Sequence, residues 1–169
     1  MPEYAAIPDA RFQTFDEKSD PAQVAPRLSA LRTTFAELGI DGFLIPRTDV
    51  HQGEYVPDCD ARLAYLTGFT GSAGMAVVTN DLAALFVDSR YTLQAPAQTD
   101  TALVSIHDTT TTNPGDWMAE NLPSGSRIGF DPWLHTPGRL ASIREPLEKA
   151  GIELVPVSNP IDAIWTDRP

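Results

Sequence analysis

The sequence predicts an α/β fold built on a mixed β-sheet of about six strands, with helices on both faces. Three observations predict it. Short apolar runs alternate along the chain with segments whose apolar residues recur every three or four positions, the two periods of strand and helix. Two of the apolar runs are split only by Asn80-Asp81, a hairpin signal that forces at least one antiparallel pair. Most of the 15 prolines stand at segment boundaries, as a fold of short alternating elements requires.

Residues 1–25 read as a polar, aperiodic arm. Pro26 lacks the N–H that a helix interior needs, so the first helix is placed at residues 26–38. Leu28, Leu31, Phe35 and Leu38 form its buried stripe, and Gly39 stops it. Residues 42–46 (GFLIP) form a strand. Residues 47–60 are polar and rich in turn formers, a loop long enough to suggest function. A short helix at 61–66 leads into the Gly-rich turn 67–74. The hairpin strands are 75–79 and 83–87. Residues 89–98 read as helical, with Pro96 limiting the end. A strand at 103–107 follows, then a helix at 114–121 opened by Asn113-Pro114, a strand at 127–130, an amphipathic helix at 137–149 stopped by Gly151, a strand at 152–155 and a terminal turn or helix at 159–165. Domain organisation is read as the arm, one domain at 26–165, and the start of a linker to a second domain at 166–169.

With 169 residues, 42% of them hydrophobic and 21% charged, the chain has the make-up of a globular domain with a full core. A net charge of −11 repels phosphate backbones and anionic lipid, which argues against nucleic-acid and membrane partners. No apolar run approaches a membrane span, and residues 1–15 lack a signal peptide's pattern. The single cysteine, Cys59, excludes an internal disulfide. A cytoplasmic location is expected.

The three histidines, His51, His107 and His135, form no HxxxH pair, and there is no CxxC, so no metal ligand set is expected within these residues. Gly71-Ser72-Ala73-Gly74 is neither a nucleophile elbow nor a phosphate loop; its glycines serve tight turns. Arg90 stands out. It opens a helical segment directly after an apolar strand, where ligands in α/β folds collect. A cation there opposes the helix dipole, so an acidic partner is called for. That partner is either a ligand carboxylate or a salt-bridging Asp88 or Asp60. His51, Glu54, Tyr55 and Arg62 surround the long loop, either lining a groove or knitting the loop to its scaffold. Trp165 is either an exposed interface residue or a pin for the last turn.

Several of these stretches together resemble the cytosolic Xaa-Pro aminopeptidases (aminopeptidase P). They are His51-Gln52-Gly53-Glu54-Tyr55, Arg62, Gly68-Phe69-Thr70-Gly71-Ser72-Ala73-Gly74, Asp88-Ser89-Arg90-Tyr91-Thr92-Leu93-Gln94-Ala95, Ser124 to Gly129 with Asp131-Pro132, and Ile164 to Pro169. The resemblance covers nearly all of residues 27–169. It implies a creatinase-type N-terminal domain of the ribonuclease H-like kind, without peptidase activity of its own. The parent enzyme would be a metallopeptidase that removes the residue before a proline in second position. Its two Mn²⁺ ions would sit in a separate catalytic domain, held there by two Asp, two Glu and one His. The N-terminal domain would shape the substrate funnel and contribute homodimer contacts. The family's substrate-contacting arginine maps onto Arg90, with Ser89 where glycine is common. The alternative carried alongside is a stand-alone peptide- or histone-binding module.

Overall fold

The computed structural model describes residues 19–169. Residues 1–18 of the expected arm lie outside the described residues. Asp20 caps a 3-10 turn at Pro21–Gln23, accepting from the Ala22 N–H at 3.1 Å. This turn runs directly into α1 (Val24–Thr33), which is followed by α2 (Phe35–Leu38). The helix therefore starts ahead of Pro26. Pro26 occupies the first turn, where backbone N–H groups have no intrahelical partner and a missing one costs nothing. Thr34 divides α1 from α2, its hydroxyl donating back to the Leu31 carbonyl at 2.7 Å. Gly39 ends α2 in the left-handed conformation, at φ 62°.

The expected strands 42–46, 75–79, 83–87 and 127–130 are present as β1 (Gly42–Pro46), β2 (Met75–Thr79), β3 (Ala83–Val87) and β5 (Arg127–Phe130). Two helices also stand as expected, α3 (Arg62–Thr67) and α5 (Pro114–Asn121). The segment 89–98 is divided. A 3-10 turn at Ser89–Tyr91 precedes α4 (Gln94–Gln98), and Pro96 lies in the first turn of α4 instead of marking its end. The next strand starts two residues later than expected, as β4 (Ser105–Asp108), and Leu103 lies outside it. α6 (Pro137–Ala150), β6 (Glu153–Pro156) and α7 (Pro160–Ile164) complete the chain.

The sheet order is β4-β3-β2-β1-β5-β6. β2 pairs antiparallel with both β1 and β3; every other neighbouring pair is parallel. Alternation along the central strands sends Phe43, Ile45, Ala76, Val78 and Leu85 into one core, beneath α1 to α4 and α7. Leu44, Val77, Phe86 and Ile128 enter a second core beneath α5 and α6. Both faces of the sheet are thus covered, which is why β1, β2 and β3 are buried throughout and, Thr79 apart, apolar rather than alternating. Each large side chain buried in these cores contributes about 1.5–3 kcal/mol.

The strand directions determine where function can gather. β1, β3, β4, β5 and β6 all run the same way, and β2 runs against them. One edge of the sheet therefore collects the loop 47–60, the Gly-rich turn before β2, the segment 88–93, the loop after β4 and the turn after β5.

Candidate functional site

Arg90 sits at this carboxyl edge, in the 3-10 turn after β3. Its side chain is 67% exposed and forms a two-pronged ion pair with Asp88. Nε donates to Oδ1 at 2.9 Å, and Nη2 donates to Oδ2 at 2.6 Å. Asp88 Oδ1 also caps the turn through the Arg90 backbone N–H at 2.9 Å. The Arg90 hydrogen bonds hold the Asp88 carboxyl below its ordinary range, and Asp88 in turn raises the guanidinium. The acidic partner that the sequence called for is thus Asp88. The fork that grips it is the geometry by which arginine binds any carboxylate, so an incoming one would compete with Asp88 on like terms.

Tyr91, which follows, points inward and holds the Gly-rich turn. Its hydroxyl accepts from the Ser72 N–H at 3.1 Å and lies 2.7 Å from the Ser72 hydroxyl. Its ring packs edge-on against Phe69, with centroids 5.2 Å apart. Arg47 Nε braces the same turn at the Gly71 carbonyl, 3.1 Å away. The Arg90 guanidinium carbon lies 5.2 Å from the centre of the Tyr91 ring.

In the long loop, the organising group is one that sequence reading passed over. Asp49 is buried, and its Oδ1 accepts the N–H groups of His51 and Gly53, both at 2.9 Å. The Gly53 bond lowers its pKa most, burial works against that, and the His51 N–H adds to the lowering. The readable signal was Asp49 followed by Gly53 within a turn-rich stretch. His51, Glu54 and Tyr55 are exposed, Tyr55 to 88%.

Arg62 lies apart from these three. It is 5% exposed and bonds Asp162 through Nε at 2.7 Å and Nη2 at 3.1 Å, and Asp60 through Nη1 at 2.9 Å. Arg168 closes the network, at 2.7 Å from Asp60 and 3.1 Å from Asp162. Burial works against the Arg62 charge, but Asp162 and Asp60 outweigh it and raise its pKa. Trp165 is half-buried and stacks on Tyr65 at 4.5 Å, which pins the end of α7. Among the described residues, no group of three or more His, Cys, Asp or Glu is placed to hold a metal ion.

The family model of the creatinase/prolidase N-terminal domain matches residues 27–164. The chain belongs to this family. Its relatives are peptidases. It is 42% identical over 153 residues to aminopeptidase P2 of Arabidopsis thaliana, covering 85% of this chain and 21% of that protein. It is 40% identical over 145 residues to Xaa-Pro aminopeptidase 2 of Sus scrofa, covering 85% and 22%. The chain thus spans about a fifth of the length of these curated relatives. Among solved structures, X-prolyl aminopeptidase of Caenorhabditis elegans, described as a cytosolic enzyme with a di-nuclear active site, superposes with a TM-score of 0.79 at 34% identity. The match covers 86% of this chain and 26% of that one. The N-terminal domain of the cytoplasmic peptidase PepQ of Mycobacterium tuberculosis H37Rv superposes with a TM-score of 0.62 at 28% identity, over 82% of this chain and 98% of that one. The creatinase-type α/β fold expected from sequence is therefore the fold observed, and the alternative of a stand-alone peptide- or histone-binding module finds no support among these relatives.

Proposed function

We propose that this creatinase-type domain serves as the non-catalytic N-terminal domain of a cytoplasmic Xaa-Pro aminopeptidase, whose substrates are peptides with proline in second position. The observation that carries this is one of proportion. An alignment spanning 85% of the chain, at 42% identity, accounts for only 21% of the Arabidopsis thaliana relative. The described residues do not fit a dinuclear metal centre, because no cluster of three ligand-type side chains exists among them. In this reading the two Mn²⁺ ions belong to a catalytic domain elsewhere on the longer polypeptide, and no hydrolytic step is assigned to these residues.

Arg90 is proposed as the substrate-contacting group. It is exposed, it stands on the carboxyl edge, and its fork already holds a carboxylate. A peptide carboxylate or carbonyl would take the place of Asp88. His51, Glu54 and Tyr55 on the neighbouring loop are proposed to line the approach, and Arg62 to anchor that loop through Asp60. Homodimer contacts are part of the same proposal and are read by sedimentation of the domain.

Two measurements test it. The 169-residue chain incubated with Mn²⁺ and an X-Pro-X peptide should give no turnover, and turnover would overturn the reading. In a chimera carrying this domain in place of the equivalent segment of the Caenorhabditis elegans enzyme, Arg90→Ala should raise KM about tenfold and leave kcat within about twofold, the signature of lost ground-state binding. An unchanged KM would remove Arg90 from the substrate path.

A further inference from the structure

We propose that the open edge of β4 is a second interaction site, which takes an extended basic and apolar peptide segment as an added strand. Among the described residues β4 is an outer strand, paired only with β3. The Thr109 N–H donates to the Val87 carbonyl at 2.9 Å, which sets the phase of the ladder. Backbone groups of residues 105, 107 and 109 face β3, so those of Ile106 and Asp108 face outward. The Asp108 carbonyl accepts from Thr111 and Thr112. The Ile106 N–H and C=O and the Asp108 N–H remain as an outward row, and no hydrogen bond to them is found among the described residues.

Edge strands are ordinarily blunted by lysine, proline or a bulge. Ser105-Ile106-His107-Asp108 carries none of these; its protection is its four-residue length and the charge of Asp108, which leave the main-chain groups of Ile106 outward. A groove of about 450 Å³ runs beside the strand instead. Its lining includes Thr92, Pro96, Thr101, Val104, Ile106 and Asp108. Ile106 and Asp108 have the same parity in the strand, so both side chains turn to the groove side. An added strand meets this surface with every second residue: an apolar one beside Ile106, which is only partly buried, and a cationic one beside Asp108. The charged residues lining the groove are Asp88, which is engaged by Arg90, and Asp108, whose Oδ1 accepts from the Thr110 N–H at 2.8 Å and the Thr110 hydroxyl at 2.7 Å, so that Oδ2 is the oxygen offered to a cation. The acidic lining and the chain's net charge of −11 both select a basic segment, and both oppose a second copy of the chain. The main-chain row supplies affinity without regard to sequence, and the groove and Asp108 supply the preference.

The test is a ¹⁵N–¹H NMR titration of the chain with two capped hexapeptides, acetyl-TVTVTK-amide and acetyl-KTVTVT-amide, which place the lysine for the two strand directions. One of them should give saturating shifts confined to residues 101–109 and 92–96. A single N-methyl group on the residue whose N–H meets the Ile106 carbonyl, the first valine of the antiparallel KTVTVT or the last threonine of the parallel TVTVTK, should weaken binding about tenfold or more, because it removes a ladder bond. Ile106→Pro removes the outward N–H at a position where an edge strand tolerates proline, and should do the same. Should that variant fail to fold, the N-methylated peptide decides. Asp108→Asn should weaken the lysine peptide severalfold and leave a lysine-to-threonine version unchanged. No saturating shift at millimolar peptide would overturn the proposal. So would shifts centred on Arg90, binding indifferent to N-methylation, or the same shifts produced by chain concentration alone.

Discussion

Two residues show how burial decides what a charge does. Arg62 and Arg90 both pair with aspartate, yet Arg62 is enclosed while Arg90 stands in water. An exposed pair is worth little, so Arg90→Ala should leave the urea midpoint essentially unchanged. Arg62→Ala leaves Asp60 and Asp162 facing a vacated guanidinium site and should cost about 2–3 kcal/mol, short of the fully buried limit because Asp162 reaches solvent. Urea denaturation of the two variants reads the contrast. His135 is the third case. It is buried, neither ring nitrogen has a partner among the described residues, and its ring meets the edge of Phe130 at 5.8 Å. Burial, with a smaller contribution from Arg139, lowers its pKa from 6.5 to about 4. The unfolded chain then binds the proton more readily. The resulting stability is complete above pH 6.5 and is lost as pH falls toward 4. At pH 5 the loss is about 2 kcal/mol. His135→Phe should flatten that part of the stability–pH curve; an unchanged slope would place the imidazole in contact with water.

At the scale of elements, the Gly-rich turn shows why glycine is required. A Cβ on Gly71 would lie 2.2 Å from Phe69 Cζ and 2.9 Å from the Tyr91 ring. Gly71→Ala should therefore displace Phe69 or the turn and cost about 1–3 kcal/mol, with Tyr91 loosened from Ser72. Near-ultraviolet circular dichroism and thermal denaturation check this; an alanine variant as stable as the parent would mean that the turn relaxes freely. The start of α1 and the place of Pro96 in α4 differ from expectation for one reason. Proline was read as an obstacle to a helix interior, whereas Pro26 and Pro96 both occupy first turns. First-turn N–H groups are unpaired in any helix, so proline there is neutral, and sequence alone does not say how many residues precede it.

For the whole molecule, the central expectation concerns metal. With no ligand cluster among the described residues, Mn²⁺ at millimolar concentration should leave the Tm of this chain unchanged. A reproducible rise of several degrees would require a site that the described fold does not contain. All six strands, both hairpin partners among them, were legible, four with their bounds, because turn chemistry and short apolar runs are carried by a few neighbouring residues. The relative directions of the strands were legible only for the hairpin. The edge that gathers residues 47–60, 88–93 and the Gly-rich turn depends on the parallel pairing of β1 with β5 and of β3 with β4, between segments far apart in the chain.

The sequence by itself determined the order and kind of most elements, the class of fold and the resemblance that the family match bears out. These rest on local periodicity, on glycine and proline geometry and on strings of neighbouring residues. Only the tertiary structure decided which charges meet. It separated Arg62 from the loop residues beside it and joined it to Asp162, 100 positions away. It gave Arg90 its partner Asp88 and made Asp49 the centre of the long loop. Among the described residues it also left β4 as an outer strand. The physical reason is that an ion pair or a bare strand edge is a property of how distant segments pack, and a linear pattern carries no record of that distance.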